Sequence, residues 1–394
     1  MVAREIAPGI HWVGAIDFDR RLFDELIPLP DGTSYNSYLI RGSEKTALID
    51  TVDPTKEFEL ISNLVKMGVD KIDYIIINHA EQDHSGSLPM VAEFFPDAEI
   101  VTNEKCRDLL AALLHFPTDK FRIIRDRETL SLGDRTLEFH ITPWTHWPET
   151  QITFLKEDGI LFSCDLFGSH RASSDLFVRN EGEIYRSAKR YYAEIMMPFR
   201  SSIKGYVGMV KDLHVTMIAP SHGPVYDRPA LILDAYEDWV SDTVKNEVVL
   251  PYVSMHGSTA KMVDHLIAAL IERGITVKPF NLSRTDIGEL AMALVDTSTI
   301  VIGTPTVLYG PHPQVVYATY LANALKPKAK FASVIGSYGW GGKTVDTITK
   351  MLDHLHVDLI DPVIVKGEPD EATMQALDKL ADEILHRHQK LNIV

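Results

Sequence analysis

The sequence predicts a mixed α/β and α+β chain in two parts: a sandwich of sheets and helices over residues 1–246, then a doubly wound parallel sheet over residues 247–394. Three observations predict this. At 394 residues the chain exceeds what one hydrophobic core usually organises. The first stretch reads as short strands broken by turn signals with occasional helices, whereas from Glu247 strand, loop and helix alternate regularly. Between them, residues 226–246 read as a polar helix, which places the boundary near Asn246.

In the first part, apolar runs at 38–40, 46–50, 74–77, 99–101 and 137–140 predict strands, followed by a second series at 151–155, 159–162 and 215–219. Helical periodicity falls at 56–67, 87–95 and 105–115. Strands feeding helices on the outside suggest a sandwich. In the second part, strands are expected at 248–253, 275–281, 299–303, 330–335 and 359–365, a count and spacing of flavodoxin-like size.

Composition bounds the function. Hydrophobic residues at 45% and charged residues at 24% exclude disordered and fibrous classes. A formal net charge of −16 works against polyanionic partners, so neither nucleic acid nor an anionic membrane is expected. No apolar run approaches the roughly 18 residues of a membrane span, and the N-terminus lacks a secretory layout, so a cytoplasmic location is expected. With only Cys106 and Cys164, no disulfide framework or four-cysteine metal site can be built, and any metal must be held by imidazoles and carboxylates.

Directly after the apolar run 74–77 comes Asn78-His79-Ala80-Glu81-Gln82-Asp83-His84, four metal-competent side chains in six residues. A strand end fixes the backbone while the loop turns donors inward, which is what a metal loop requires, although His and acids in a surface loop are also common. Three later segments add donors just beyond strands: His146 between Trp144 and Trp147, Asp165 after Phe162-Ser163-Cys164, and His222 after Ile218-Ala219-Pro220-Ser221. Trp144 and Trp147 fit an apolar wall around such a site, and core packing alone explains them about as well.

This order of donors resembles the metallo-β-lactamase superfamily over residues 1–246, with its αββα sandwich. Zinc hydrolases of that superfamily carry His-x-His-x-Asp-His, whereas here Glu81 replaces the second His. The more anionic set favours iron or manganese over zinc. His79-x-Glu81-x-Asp83-His84 is similar to the pattern of flavodiiron proteins. That resemblance implies His79, Glu81 and His146 on one iron, Asp83, His84 and His222 on a second, and Asp165 bridging them; the counterpart of His84 is a ligand in only some members. It implies Tyr192 as the pocket tyrosine, while a pocket His that some members carry near residue 25 has no counterpart in residues 20–26.

The second part carries three loops at expected strand ends. Ser254-Met255-His256-Gly257-Ser258-Thr259 opens a helix with hydroxyls and bare amides, an anion site suited to a flavin phosphate, and no Walker lysine follows. Thr304-Pro305-Thr306-Val307-Leu308-Tyr309-Gly310 follows the third strand, and Ser337-Tyr338-Gly339-Trp340-Gly341-Gly342 the fourth. Glycines let amides approach a flavin edge and aromatic residues flank its ring. All three resemble the FMN loops of flavodiiron proteins, with His256 where an aromatic residue is frequent.

The resemblance spans the whole chain. It implies an oxidoreductase with FMN and two non-haem irons per chain that reduces dioxygen to water, nitric oxide to nitrous oxide, or both, in a head-to-tail homodimer or dimer of dimers. Two cysteines cannot supply a fused rubredoxin, so a separate electron donor, rubredoxin or a reduced deazaflavin, is expected. The rival reading is a zinc-dependent hydrolase fused to an electron-transfer flavodoxin module.

Overall fold

The computed structural model describes residues 2–394, which form two compact units. One holds the chain up to Tyr192 together with Phe199–Val240; the other holds Ala193–Pro198 and Ser241–Val394.

Two large sheets build the core of the first unit. The larger runs Arg4–Ala7, Ile10–Trp12, Tyr38–Arg41, Thr46–Ile49, Tyr74–Ile76, Glu99–Thr102 and Phe121–Ile123; the smaller runs Thr129–Ser131, Thr136–Ile141, Gln151–Leu155, Ile160–Cys164 and Met217–Pro220. Successive side chains of a strand point to opposite faces, so each central strand serves two cores. Tyr38, Ile40, Ile49, Ile76 and Val101 meet Leu137, Phe139, Leu155 and Phe162 in one core. Their neighbours Leu39, Leu48, Ile75 and Ile100 point the other way, against Leu60, Leu64, Leu88, Val91 and Leu110 of the helices Glu57–Lys66, Leu88–Phe94 and Glu104–Leu114. The edge strands Arg4–Ala7 and Phe121–Ile123, and Ile10–Trp12 next to the first of them, carry no usable sequence signal, because runs of four and three residues are too short to show a period. What positions the site is the parallel pairing of Tyr74–Ile76 with both neighbours and of Ile160–Cys164 with Met217–Pro220, so that these strands end together and hand the chain to loops.

In the second unit, parallel strands run in the order Thr276–Asn281, Lys245–Tyr252, Thr297–Gly303, Phe331–Tyr338, with Asp358–Leu359 and Val363–Lys366 on the last strand's free side. Second-first-third-fourth-fifth is the flavodoxin-like order, whose ligand lies beyond the carboxyl ends of the strands. The expected single strand at 359–365 is in fact two pieces. Pro362 has no N–H to donate and disfavours helical backbone before it, so the ladder breaks between Leu359 and Val363. Among the described residues no helix is long and apolar enough to cross a membrane.

Candidate metal centre

All seven expected donors converge at the strand ends of the first unit. His79 and Glu81 lie in the loop after Tyr74–Ile76, and the short helix Gln82–Ser85 that follows presents Asp83 and His84. His146 comes from the loop between Thr136–Ile141 and Gln151–Leu155, Asp165 follows Ile160–Cys164 directly, and His222 follows Met217–Pro220.

The donors form two groups that share one residue. In the first, Glu81 Oε2 lies 3.0 Å from His79 Nε2 and 3.1 Å from His146 Nε2, and Asp165 Oδ2 lies 3.6 and 3.8 Å from the same nitrogens. In the second, Asp83 lies 3.3 Å from His84 Nε2 and 3.1 Å from His222 Nε2, and Asp165 Oδ1 lies 3.1 and 3.3 Å from them. The two carboxylate oxygens of Asp165 therefore face different groups.

Outer partners hold the imidazoles. His79 Nδ1 donates to Glu149 Oε1 at 2.7 Å, and the same oxygen accepts from the Ala80 amide at 3.1 Å. His222 Nδ1 donates to the Ser34 carbonyl at 2.7 Å. Each bond leaves Nε2 as the atom turned inward. Beneath the loop, Asp50 accepts from the backbone and side-chain N–H of Asn78 at 2.7 and 2.9 Å, and Asn78 accepts from Thr153 Oγ1 at 2.7 Å. Burial pushes the Asp50 carboxyl up to about 6.

The charged groups polarise one another strongly. Burial opposes charge on His222, yet hydrogen bonds from it to Asp165 and Asp83 raise its pKa to about 10. Burial likewise opposes charge on Asp165, but the His84 charge and the His222 hydrogen bond hold it well below the carboxylate range. Apart from these ion-pair contacts among the donors themselves, Asp83 Oδ1 and Oδ2, His84 Nε2 and Asp165 Oδ2 are buried with no further hydrogen-bond partner. Four inward imidazoles, three carboxylates and orphaned acceptors fit a pair of metal ions, and the anionic donor set fits hard, highly charged ions.

Several expectations need correction or completion. Tyr192 turns away: its hydroxyl meets the Trp239 carbonyl at 3.2 Å and its ring packs on Tyr236 and Trp239. Its neighbour Tyr191 is the tyrosine at the site, donating to Asp165 Oδ1 at 2.7 Å, because adjacent helical residues project about 100° apart. Trp147 does wall the site, edge-on to His79 at 5.0 Å, whereas Trp144 stacks on Phe199 and is 48% exposed. His170 was not foreseen. It lies 4.8 Å from the His222 ring and 4.9 Å from the Tyr191 ring, with Nδ1 on Thr33 Oγ1 at 2.9 Å, and burial keeps it neutral. No strand end announces it. Glu149 was missed too, although it lies three residues beyond His146 in the same loop. Where a pocket His was sought, a small hairpin presents Asp24, whose carboxyl is pushed up to about 6 by burial and by the charges of Glu81 and Asp83.

In the second unit a cavity of about 260 Å³ is lined by Ser254, His256, Ser258, Thr259, Pro305, Thr306, Ser337, Tyr338 and Gly339, with Met255, Gly367 and Glu368 unforeseen. A second, of about 280 Å³, shares Thr306 and Tyr338 and adds Gly341 and Gly342 with residues 343–346 and Ile364. Gly257 caps the helix Ser258–Glu272 at φ 97°, a conformation that side chains rarely adopt, and a Cβ there would meet nothing within 4 Å. Ser254 Oγ accepts from the Ala260 amide at 3.1 Å, which frees its proton, and Thr259 Oγ1 is buried without a partner. Helix amides and two available hydroxyls fit an anion such as phosphate. Thr304 lies behind the wall, where its hydroxyl donates to the Pro305 carbonyl and accepts from the His312 amide. Leu308, Tyr309, Gly310 and Trp340 do not line either cavity; Leu308 and Tyr309 sit at φ 49° and 70°, exposed, with the Tyr309 and Trp340 rings 5.9 Å apart.

The family model of the ODP family beta lactamase matches residues 33–223, the stretch that carries all seven donors. A nitric oxide reductase of Moorella thermoacetica is 35% identical over 90% of this chain and 90% of its own. Rubredoxin oxygen:oxidoreductase from Desulfovibrio gigas superposes with a TM-score of 0.95 at 30% identity, covering 98% of this chain and 99% of that one. The flavodiiron protein of Giardia intestinalis superposes with a TM-score of 0.92 at 28% identity, covering 98% and 96%.

Proposed function

Because the chain belongs to the flavodiiron proteins, oxidoreductases with a metallo-β-lactamase-like domain, we propose that it reduces dioxygen or nitric oxide at a di-iron centre with electrons supplied through FMN. The observation that carries the reading is the division of Asp165, one oxygen toward His79, Glu81 and His146 and the other toward Asp83, His84 and His222. Those two sets would each hold one iron, with Asp165 across both. The hydroxyls of Ser254, Ser258 and Thr259 would hold the FMN phosphate, with Thr306 and Tyr338 beside the remainder of the cofactor.

Bound there, iron would supply electrons to dioxygen or nitric oxide, and FMN would replenish them. The chain's own part is positional. Glu149 and the Ser34 carbonyl fix the His79 and His222 rings, so that their donor atoms need no reorganisation. Trp147, Tyr191 and His170 close the site against bulk water, while Glu81 and His146 remain partly exposed and give a small molecule its approach. Rubredoxin or a reduced deazaflavin would supply the electrons, and a head-to-tail dimer would bring one subunit's FMN to its partner's iron. Names of the relatives support both gases: one is a nitric oxide reductase, another an oxygen oxidoreductase.

Anaerobic stopped-flow tests this. The reduced protein, mixed with each gas in turn, is expected to reoxidise its flavin at a rate that saturates with gas, for at least one of the two. Reoxidation no faster than in an Asp165→Ala variant, with both gases, would refute the proposal.

A further inference from the structure

We propose that Glu149 is a positioning residue that makes the two metal positions electronically unequal, by placing a buried negative charge behind His79 while the matching His222 has only a neutral carbonyl behind it. The inference rests on the di-iron reading above.

Glu149 is fully buried, and its second oxygen, Oε2, is buried with no hydrogen-bond partner, so nothing screens the charge on that side. Its place is fixed from outside the site. Asn103 caps the helix Glu104–Leu114 through its side-chain oxygen and donates through Nδ2 to the Glu149 carbonyl at 2.7 Å and to Gln151 Oε1 at 3.0 Å. A carboxylate that accepts the Nδ1 proton of an imidazole pushes electron density toward Nε2 and stabilises the higher charge of a metal held there. A peptide carbonyl does so more weakly, because it carries no net charge. On the second side a further contact works in the opposite sense: Tyr191 donates to Asp165 Oδ1 at 2.7 Å and draws density from the oxygen that faces His84 and His222. Both effects favour the ferric state at the His79 position. The half-reduced centre therefore carries its ferric ion beside His79, Glu81 and His146, and its ferrous ion beside Asp83, His84 and His222.

The test is Glu149→Gln, which keeps a carbonyl oxygen for His79 Nδ1 and the Ala80 amide but removes the charge. Holoprotein is poised at a series of potentials, and each iron's state is read by Mössbauer and electron paramagnetic resonance spectroscopy, with the flavin followed optically as an internal standard. In the wild type, two irons with separated potentials are expected. In the variant, the potential of the lower iron should rise so that the gap narrows by at least about 59 mV, a tenfold change in the one-electron partition, while the flavin potentials stay put. Loss of one iron of the pair also supports the proposal, since the missing charge is what retained it. An unchanged gap with both irons bound overturns it, as does loss of both irons together, which would make Glu149 a support of the whole site. A wild-type protein that binds no iron pair takes the di-iron reading down first, and this inference with it.

Discussion

Asp165 is the side chain on which the two donor groups depend, since each of its oxygens serves one of them. Asp165→Ala should therefore lower iron content and reduce gas turnover by roughly a hundredfold or more, while flavin stays bound in the other unit. Metal analysis with turnover on the same preparation checks this, and near-normal turnover with iron retained would contradict it. The adjacent tyrosines make a sharper contrast. Tyr191→Phe removes a hydroxyl that donates to Asp165 and should slow turnover up to about tenfold, the scale of one hydrogen bond. Tyr192→Phe, whose hydroxyl meets the Trp239 carbonyl, should leave turnover within about twofold and lower the melting temperature instead. Steady-state assays beside thermal melts separate the two. These residues also mark what was readable beforehand. His79, Glu81, Asp83, His84, His146, Asp165 and His222 were legible because each follows an apolar strand, and a strand end fixes where the next few side chains can go. Tyr191 was not, because sequence does not say which of two neighbouring helical residues faces inward. Glu149 and His170 act through tertiary contacts that no local pattern encodes.

The proposed flavin cradle is a property of an element, the helix Ser258–Glu272, more than of any one side chain. Its amides and the left-handed Gly257 before it set the anion site, so Gly257→Ala should weaken FMN binding by about tenfold through a backbone strain of about 1–2 kcal/mol. Fluorescence titration of flavin-free protein with FMN measures it, and unchanged affinity would show that the turn keeps the same conformation with and without FMN. Near the N-terminal ends of the same sheet's strands, His388 of the helix Glu371–Lys390 is buried between Asn246 Oδ1 at 2.8 Å and the hydroxyls of Ser298 and Thr299 at 2.8 and 2.7 Å. Burial lowers its pKa from 6.5 to about 4. Between those values the unfolded chain binds a proton that the folded chain does not, so this group's contribution is present above 6.5 and lost as pH falls toward 4, by at most about 1.4 kcal/mol per pH unit. Urea unfolding across that window should show the slope, and His388→Gln should flatten it. A slope identical in the variant would assign the acid sensitivity to other groups. Element boundaries were less legible than element types. The fifth strand of this sheet splits at Pro362, whose missing N–H an apolar run conceals, and the short outer strands of the first unit carry too few residues to show alternation.

At the scale of the whole molecule, the donors of the metal centre lie in one compact unit and the flavin cradle in the other. The head-to-tail dimer proposed from the family makes a distinct forecast. Asp165→Ala chains mixed with chains made flavin-free by Ser258→Ala and Thr259→Val should regain activity that neither parent shows, because one interface of the heterodimer pairs an intact flavin with an intact metal site. Subunit exchange confirmed by mass without recovery would place electron transfer within one chain. Beneath this lies the claim that Glu81, in place of an imidazole, turns a fold shared with zinc hydrolases toward iron. Elemental analysis and flavin extraction on protein produced with iron and zinc both available test it most directly. The account predicts roughly two irons and one FMN per chain with little zinc, whereas a chain holding zinc in both positions, with iron near background, would contradict it and favour a hydrolase.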